Sequence, residues 1–318
     1  MKLDAEFDPL AEALHALRMT GVFYCRSEFT APWGVTLPPV TDCLWFHVVT
    51  AGRCVLEVEG AEPRTLLPGD LVLVPHGRGH VLRGTPDAPV PAIEGLAHDY
   101  VSDRYAILQY GGGGAETVLV CGAVRFDHPT ARYLVDLLPK IIHVEPAGAP
   151  QAEWMQSTLR LIAAEAATLR PGGEAVITRL SDILVVQGVR SWLENDPSAR
   201  TGWLGALRDS QIGRALTLVH REPEREWTVA SLASELAMSR SAFAARFTDL
   251  VGEPAMQYVT RWRMLVALDV LRTEGASVAT LAGRLGYQSE AAFSRAFKRI
   301  VGVSPGSVKR VSPALATW

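Results

Sequence analysis

Cysteine is scarce in this chain of 318 residues: Cys25, Cys43, Cys54 and Cys121 are the four present. None stands in a Cys-x-x-Cys pair or another metal-type spacing. That excludes a disulfide scaffold or a zinc ribbon and suits free thiols in a reducing compartment. Long apolar runs are missing too, because Arg, Glu or Gly interrupts each of them, and no membrane span is expected. The opening MKLDAEFDPLAEALHALRM carries acids within its apolar pattern and lacks the unbroken core of a secretory signal. A cytoplasmic protein with no membrane partner is the expectation.

What is present is length enough for about two domains, each able to bury a core. The balance of 48% hydrophobic and 20% charged residues is ordinary for a globular protein. The net charge of −3 hides an asymmetry. Residues 203–318 hold 15 Lys+Arg against 10 Asp+Glu, a net of +5, and the remainder is left at −8. A basic tail behind an acidic front points to a polyanionic partner for the tail.

Residues 1–18 read as a short helix, with Leu10, Leu14 and Leu17 at helical spacing. From about 21 to 145, short Val-, Leu-, Phe- and Tyr-rich runs alternate with Gly/Pro turns, as in an antiparallel β domain. Cys54, Leu56 and Val58 alternate with Val55, Glu57 and Glu59, giving one buried and one wet face. Residues 84–116, with their prolines and the run Gly111–Gly114, predict a mobile loop. Strand character resumes at Thr117–Phe126, and a short helix to Leu138 follows Asp127-His128-Pro129. Two helices are predicted over Glu153–Leu169 and Glu174–Glu194, stopped by Pro171-Gly172-Gly173 and by Pro197. Their apolar faces suit either a dimer contact or docking onto the β domain. The expected division is 1–145, a linking helical hairpin at 146–202, and an all-α domain at 203–318.

The last of these contains a repeat. Thr228-Val229-Ala230-Ser231-Leu232-Ala233 lies over Ser277-Val278-Ala279-Thr280-Leu281-Ala282. After a one-residue slip, Ser239, Phe243, Phe247 and Val251-Gly252 fall on Ser289, Phe293, Phe297 and Val301-Gly302. Each copy reads as a capped short helix, a tight turn, and a second Ser-capped helix with two Phe residues four apart facing inward. That is a helix-turn-helix, whose second helix enters the DNA major groove. Pro254–Arg272 reads as one long helix, a spacer able to hold two recognition helices about 34 Å apart.

With the Phe residues buried, the first recognition helix exposes Arg240, Ser241, Ala244 and Ala245. The second exposes Glu290, Ala291, Ser294, Arg295 and Lys298. Arg295 suits guanine and Glu290 cytosine, whereas the alanines offer only methyl contacts. Arg246, Arg261, Arg263, Arg284, Arg299, Lys309 and Arg310 are candidates for phosphate. Double-stranded DNA is the expected partner.

The stretch GYQSEAAFSRAFKRIVGVSPGSVKR resembles the signature of the AraC/XylS family of bacterial transcription regulators, and the likeness covers about 205–311. It implies base contacts at Arg295 and along the face of Glu290, Ala291 and Ser294, with RNA polymerase as a further partner. The family often carries bulkier residues where this chain has Ser241, Ala244 and Ala245.

Pro68 to His80 fits the second half-motif of cupin barrels, with Gly69, Pro75, Gly77 and His80 in its spacing. Residues 1–145 are similar to the cupin-type sensor halves of some AraC-family regulators, including APWG at 31–34 and the CG…FDHP of 121–129. The whole is thus an α+β multidomain chain: a cupin-like antiparallel β-barrel, a middle helical hairpin, and an all-α tandem helix-turn-helix domain. A catalytic cupin presents two His and a carboxylate in its first motif, but Phe46-His47 supplies a single His. His47 and His80 therefore read as cavity-lining residues. A divalent metal is the candidate cofactor if His128 or His76 completes the set, although an open site takes three ligands. Buried Cys behaves as a small hydrophobe. The resemblance implies an alternative, a redox switch at Cys25 and Cys121.

The function these observations imply is a sequence-specific DNA-binding regulator, not an enzyme, whose cupin-like half senses a small molecule, metal or oxidant. A homodimer through the hairpin is one arrangement open to it. The rival is a cupin-type metal-binding protein or enzyme fused to a helical domain.

Overall fold

The computed structural model describes residues 19–40, 42–126, 135, 137–145, 150–168, 170–200, 202–273 and 276–308. The expected N-terminal helix, His128, most of the short helix before Leu138, Lys309 and Arg310 lie outside the described residues. The chain forms two compact units. One holds the strands and the helices up to Glu194, and the other begins at Asn195.

The first unit contains two sheets. Strands β1 (Met19–Thr30), β3 (Cys43–Ala51), β6 (Leu71–Val74), β8 (His98–Ser102), β9 (Tyr105–Gly111), β10 (Glu116–Phe126) and β11 (Ile142–Val144) make the larger, in the order β11-β6-β3-β10-β1-β9-β8. Strands β2 (Gly34–Leu37), β4 (Cys54–Val58), β5 (Arg64–Leu66) and β7 (His80–Arg83) make the smaller, ordered β2-β7-β4-β5. Pairing is antiparallel except between β1 and β9. The core between the sheets draws Phe23, Cys25, Trp45 and Cys121 from one and Leu37, Leu56, Val58 and Leu82 from the other. On β4 the alternation of Cys54, Leu56 and Val58 with Val55 and Glu57 is the observed burial pattern.

Residues 84–116 are not the loop their composition predicts. They carry a 3-10 turn at Ile93–Gly95 and the strands β8 and β9. Strand β9 is held by parallel pairing to β1, from Tyr24↔Tyr105 to Thr30↔Gly111. A long-range ladder of this kind leaves no mark in local composition.

All four residues of β6 are buried, which one packed face cannot explain. Val72 and Val74 face the inter-sheet core. Leu71 and Leu73 face outward, where helix α2 (Gly173–Asn195) lies close to them. A Cβ on Gly188 would stand 2.9 Å from Leu73 and 3.2 Å from Leu71, so glycine permits this approach. Helix α1 (Pro150–Thr168) packs against β3. Tyr24 of β1 donates to Asp182 of α2 at 3.3 Å. Of the two placements open to the middle helices, docking on the β domain is the one observed within this unit.

The second unit is helical: α3 (Gly202–Leu207), α4 (Ser210–Arg221), α5 (Val229–Glu235), α6 (Arg240–Val251), α7 (Ala255–Thr273), α8 (Val278–Arg284) and α9 (Glu290–Val301). Helix α7, 19 residues and hence about 28 Å long, serves both repeats. Its N-terminal half brings Tyr258 to Phe247 of the first copy. Its C-terminal half joins Met264, Ala267 and Leu271 to Phe293 and Phe297 of the second.

Candidate nucleic-acid interface and sensor core

The two copies form by the same local chemistry. Thr228 caps α5 in a reciprocal box with Ser231. Ser239, Ser277 and Ser289 accept from Ala242, Thr280 and Ala292 backbone N–H groups at 3.2, 3.1 and 3.2 Å. Met238 N–H bonds to the Ala233 carbonyl, as Tyr287 N–H does to Ala282, each at 2.9 Å. Gly252 and Gly302, in left-handed conformation, end α6 and α9. Phe243, Phe247, Phe293 and Phe297 are fully buried, with ring pairs 5.6 and 5.8 Å apart.

Those anchors fix what each helix shows to solvent. On α6, Arg240, Ser241 and Ala245 are exposed and Ala244 is half-buried. On α9, Glu290, Ala291, Arg295 and Lys298 are exposed, and Ser294 is half-buried. Arg240, Arg295 and Lys298 make no ion pair with the described residues. Four other candidate cations, Arg246, Arg261, Arg263 and Arg284, are engaged within the protein. Arg246 binds Asp209 at 2.5 Å, and Asp209 also caps α4. Arg246 and the helix N–H groups hold that carboxyl below its usual range, outweighing the opposing effect of its burial. Arg261 pairs with Glu253, and Arg284 with Glu224. Arg263, half-buried, donates at 2.7 Å to the carbonyls of Pro223 and Arg225. Sequence reasoning missed Asp209, Glu224 and Glu253, since the first two lie 37 and 60 residues from their partners.

Among the described residues of the β unit, the chemistry gathers on the inner face of the larger sheet. Register places Ala106, Cys25, Cys121, His47 and Val72 side by side across five strands. Cys25 and Cys121 are thus directly opposed. Ser27, fully buried, lies 3.6 Å from the Cys25 sulfur. Burial pushes the Cys25 thiol up to about 11 and Cys54 to about 12, and raises Cys121 well above its usual value. These groups stand as neutral thiols, and all four cysteines are free.

His47 meets His80 from the opposite sheet, Nε2 to Nε2, at 2.7 Å. His80 Nδ1–H donates to the Arg78 carbonyl at 3.0 Å, so its Nε2 accepts from His47 Nε2–H. That leaves His47 Nδ1 a buried lone pair without a hydrogen-bond partner. Burial lowers both rings, His80 to about 4 and His47 well below its usual value, with the neighbouring His80 adding to the effect on His47. As metal donors the pair does not suffice. An open divalent site takes three protein ligands, and no group of three His, Cys, Asp or Glu among the described residues could hold an ion. His76 is turned elsewhere, its Nε2 against the Leu138 carbonyl at 2.9 Å.

A narrow pocket opens beside the thiols. Cys25, Cys121 and Trp45 line its depth, with Phe23, Glu94, His98 and Tyr100 also on its walls. Glu94, His98 and Tyr100 carried no sequence signal, being read as part of a loop.

Known proteins share both parts of this architecture. A match to the Cupin family spans residues 8–194, and one to a helix-turn-helix domain spans 232–310. An AraC-like transcription regulator of Streptomyces lividans is 38% identical over 307 residues, covering 95% of this chain and 98% of its own length. One from Streptomyces antibioticus is 35% identical over 304 residues, with the same shares covered. The transcriptional regulator AlkR of Acinetobacter baylyi is 30% identical over 276 residues, covering 85% and 89%. A cupin unit joined to tandem helix-turn-helix units defines a class, the DNA-binding transcription regulators. Within it, the chain belongs to the AraC-like family. No described helix is long and apolar enough to cross a membrane.

Proposed function

We propose that this regulator reads bases chiefly through Glu290, Ala291, Ser294, Arg295 and Lys298 of α9, while α6 contributes Arg240 and the small surface of Ser241, Ala244 and Ala245. The observation that carries this reading is the free, exposed placement of Arg295 and Lys298 on a helix whose opposite face is locked by Phe293 and Phe297. Arg246, Arg261 and Arg263 hold the frame through acids and carbonyls, and their outward edges supply backbone contacts. RNA polymerase is the further partner of this reading. A second copy of the chain is another, supported by the exposed Leu161, Val176 and Ile183 on α1 and α2. In this role the chain binds and regulates rather than catalyses.

The test is to sequence duplex fragments retained by the purified protein and to measure their affinity against salt. A shared sequence element is expected, with affinity falling steeply as salt rises. Arg295→Ala should weaken that binding by about 1–3 kcal/mol and relax preference at one base pair. Fragments without a common element would contradict the reading.

The β unit is the sensor in this account. Its pocket supports a small-molecule signal, and the opposed Cys25 and Cys121 support an oxidant. A disulfide there would need a thiolate, which burial disfavours, so the oxidant must act when the unit opens. Labelling free thiols before and after mild peroxide should show the loss of two. Retention of all four while DNA binding still responds to peroxide would sink the thiol switch.

A further inference from the structure

We propose that the pocket beside Cys25 and Cys121 takes a hydrophobic organic cation, a protonated amine or quaternary ammonium on an aryl or alkyl body. This rests on the sensor reading above and names the class of its ligand. The walls are aromatic. Phe23 lies edge-on to His98 with ring centres 6.3 Å apart, Tyr100 is 6.4 Å from Phe23, and His98 is 6.0 Å from Tyr100. Trp45, 3% exposed, lies deep, whereas Tyr100 is 54% exposed and marks the mouth. An exposed tyrosine on edge strand β8, tilted by 59° against a buried phenylalanine, is a surface suited to an apolar guest.

The polar groups select the charge of that guest. Glu94, exposed on the 3-10 turn, is the single charged side chain lining the pocket, and no Lys or Arg among the described residues joins it. His98 Nδ1–H is committed to the Leu96 carbonyl at 2.8 Å, which leaves Nε2 as the remaining polar atom of the ring. The Glu94 carboxylate asks for a donor, and the faces of Phe23, Tyr100 and Trp45 attract positive charge. Among the described residues lining the pocket, no Lys or Arg offers a carboxylate or phosphate a partner. The apolar body would lie against Phe23 and Tyr100 at the mouth, with its cationic head at Glu94.

Three probes with one body test this: 4-phenylbutylamine, 4-phenylbutanol and 4-phenylbutanoate, titrated calorimetrically into the full-length protein. The ammonium should bind about tenfold more tightly than the alcohol, and the carboxylate more weakly than either. Glu94→Gln, at an exposed turn, should bring the amine down to the alcohol's affinity and leave the alcohol unchanged. Equal or tighter binding of the carboxylate, binding by none of the three, or a preference untouched by Glu94→Gln would overturn the proposal. Affinity for the selected duplex, measured with and without the amine, is read separately. Selective amine binding that leaves DNA affinity unchanged would sink the sensor reading while the ligand class stands.

Discussion

Ala237 and Gly286 occupy the same place in the two turns, between the paired helices of each copy. Both adopt left-handed backbone, with φ of 51° and 77°. Glycine accepts that conformation freely, but an alanine Cβ is crowded there. Ala237→Gly should therefore stabilise the helical unit by about 0.5–1 kcal/mol after the entropy of the added glycine is counted. A thermal melt should move upward by about 2–6 °C. A lower midpoint would mean that the turn gains more from the alanine than its backbone loses. At this scale the sequence was informative where chemistry is local. The four caps and both Phe pairs could be read from spacing, because a cap and its helix lie within one turn. The Asp209–Arg246 and Glu224–Arg284 pairs could not, because only the tertiary fold brings their partners together.

Elements carry the next level, and β6 shows what pattern can and cannot tell. Leu71-Val72-Leu73-Val74 is apolar throughout because the inter-sheet core takes one face and α2 the other. The run announced burial without saying what covers it, and the apolar faces of α1 and α2 were equally silent about their destination. Strands β8 and β9 were illegible for a related reason: prolines and glycines flank them, and β1 supplies the order. The contact between β3 and β7 offers a measurable consequence. His80 is held near 4 when folded, against 6.5 when exposed, so the folded state refuses a proton that the unfolded chain accepts. Its contribution is complete above pH 6.5 and is lost as pH falls from 6.5 toward 4. Each such imidazole gives a slope of up to about 1.4 kcal/mol per pH unit. Denaturant unfolding of the β unit at pH 7, 6 and 5 should show this decline, with both rings still neutral by NMR at pH 5. Flat stability, or protonation of either ring near pH 6.5, would contradict the buried neutral pair.

Across the whole molecule, a β unit with a lined pocket and a helical unit with duplicated recognition helices divide the proposed sensing from DNA binding. The duplication was the most legible feature of the sequence, since two copies in register leave little room for coincidence. The pocket was the least legible, because its walls come from six separate segments. The central claim is that α6 and α9, mounted on the two halves of α7, engage one duplex together. Hydroxyl-radical footprinting on a selected fragment tests it most directly. Two protected tracts on one face, centred about 10 base pairs apart, are predicted, with Arg295→Ala shifting both tracts together to higher protein concentration. A single tract, or two that titrate independently so that changing Arg295 alone shifts one and leaves the other in place, would contradict it.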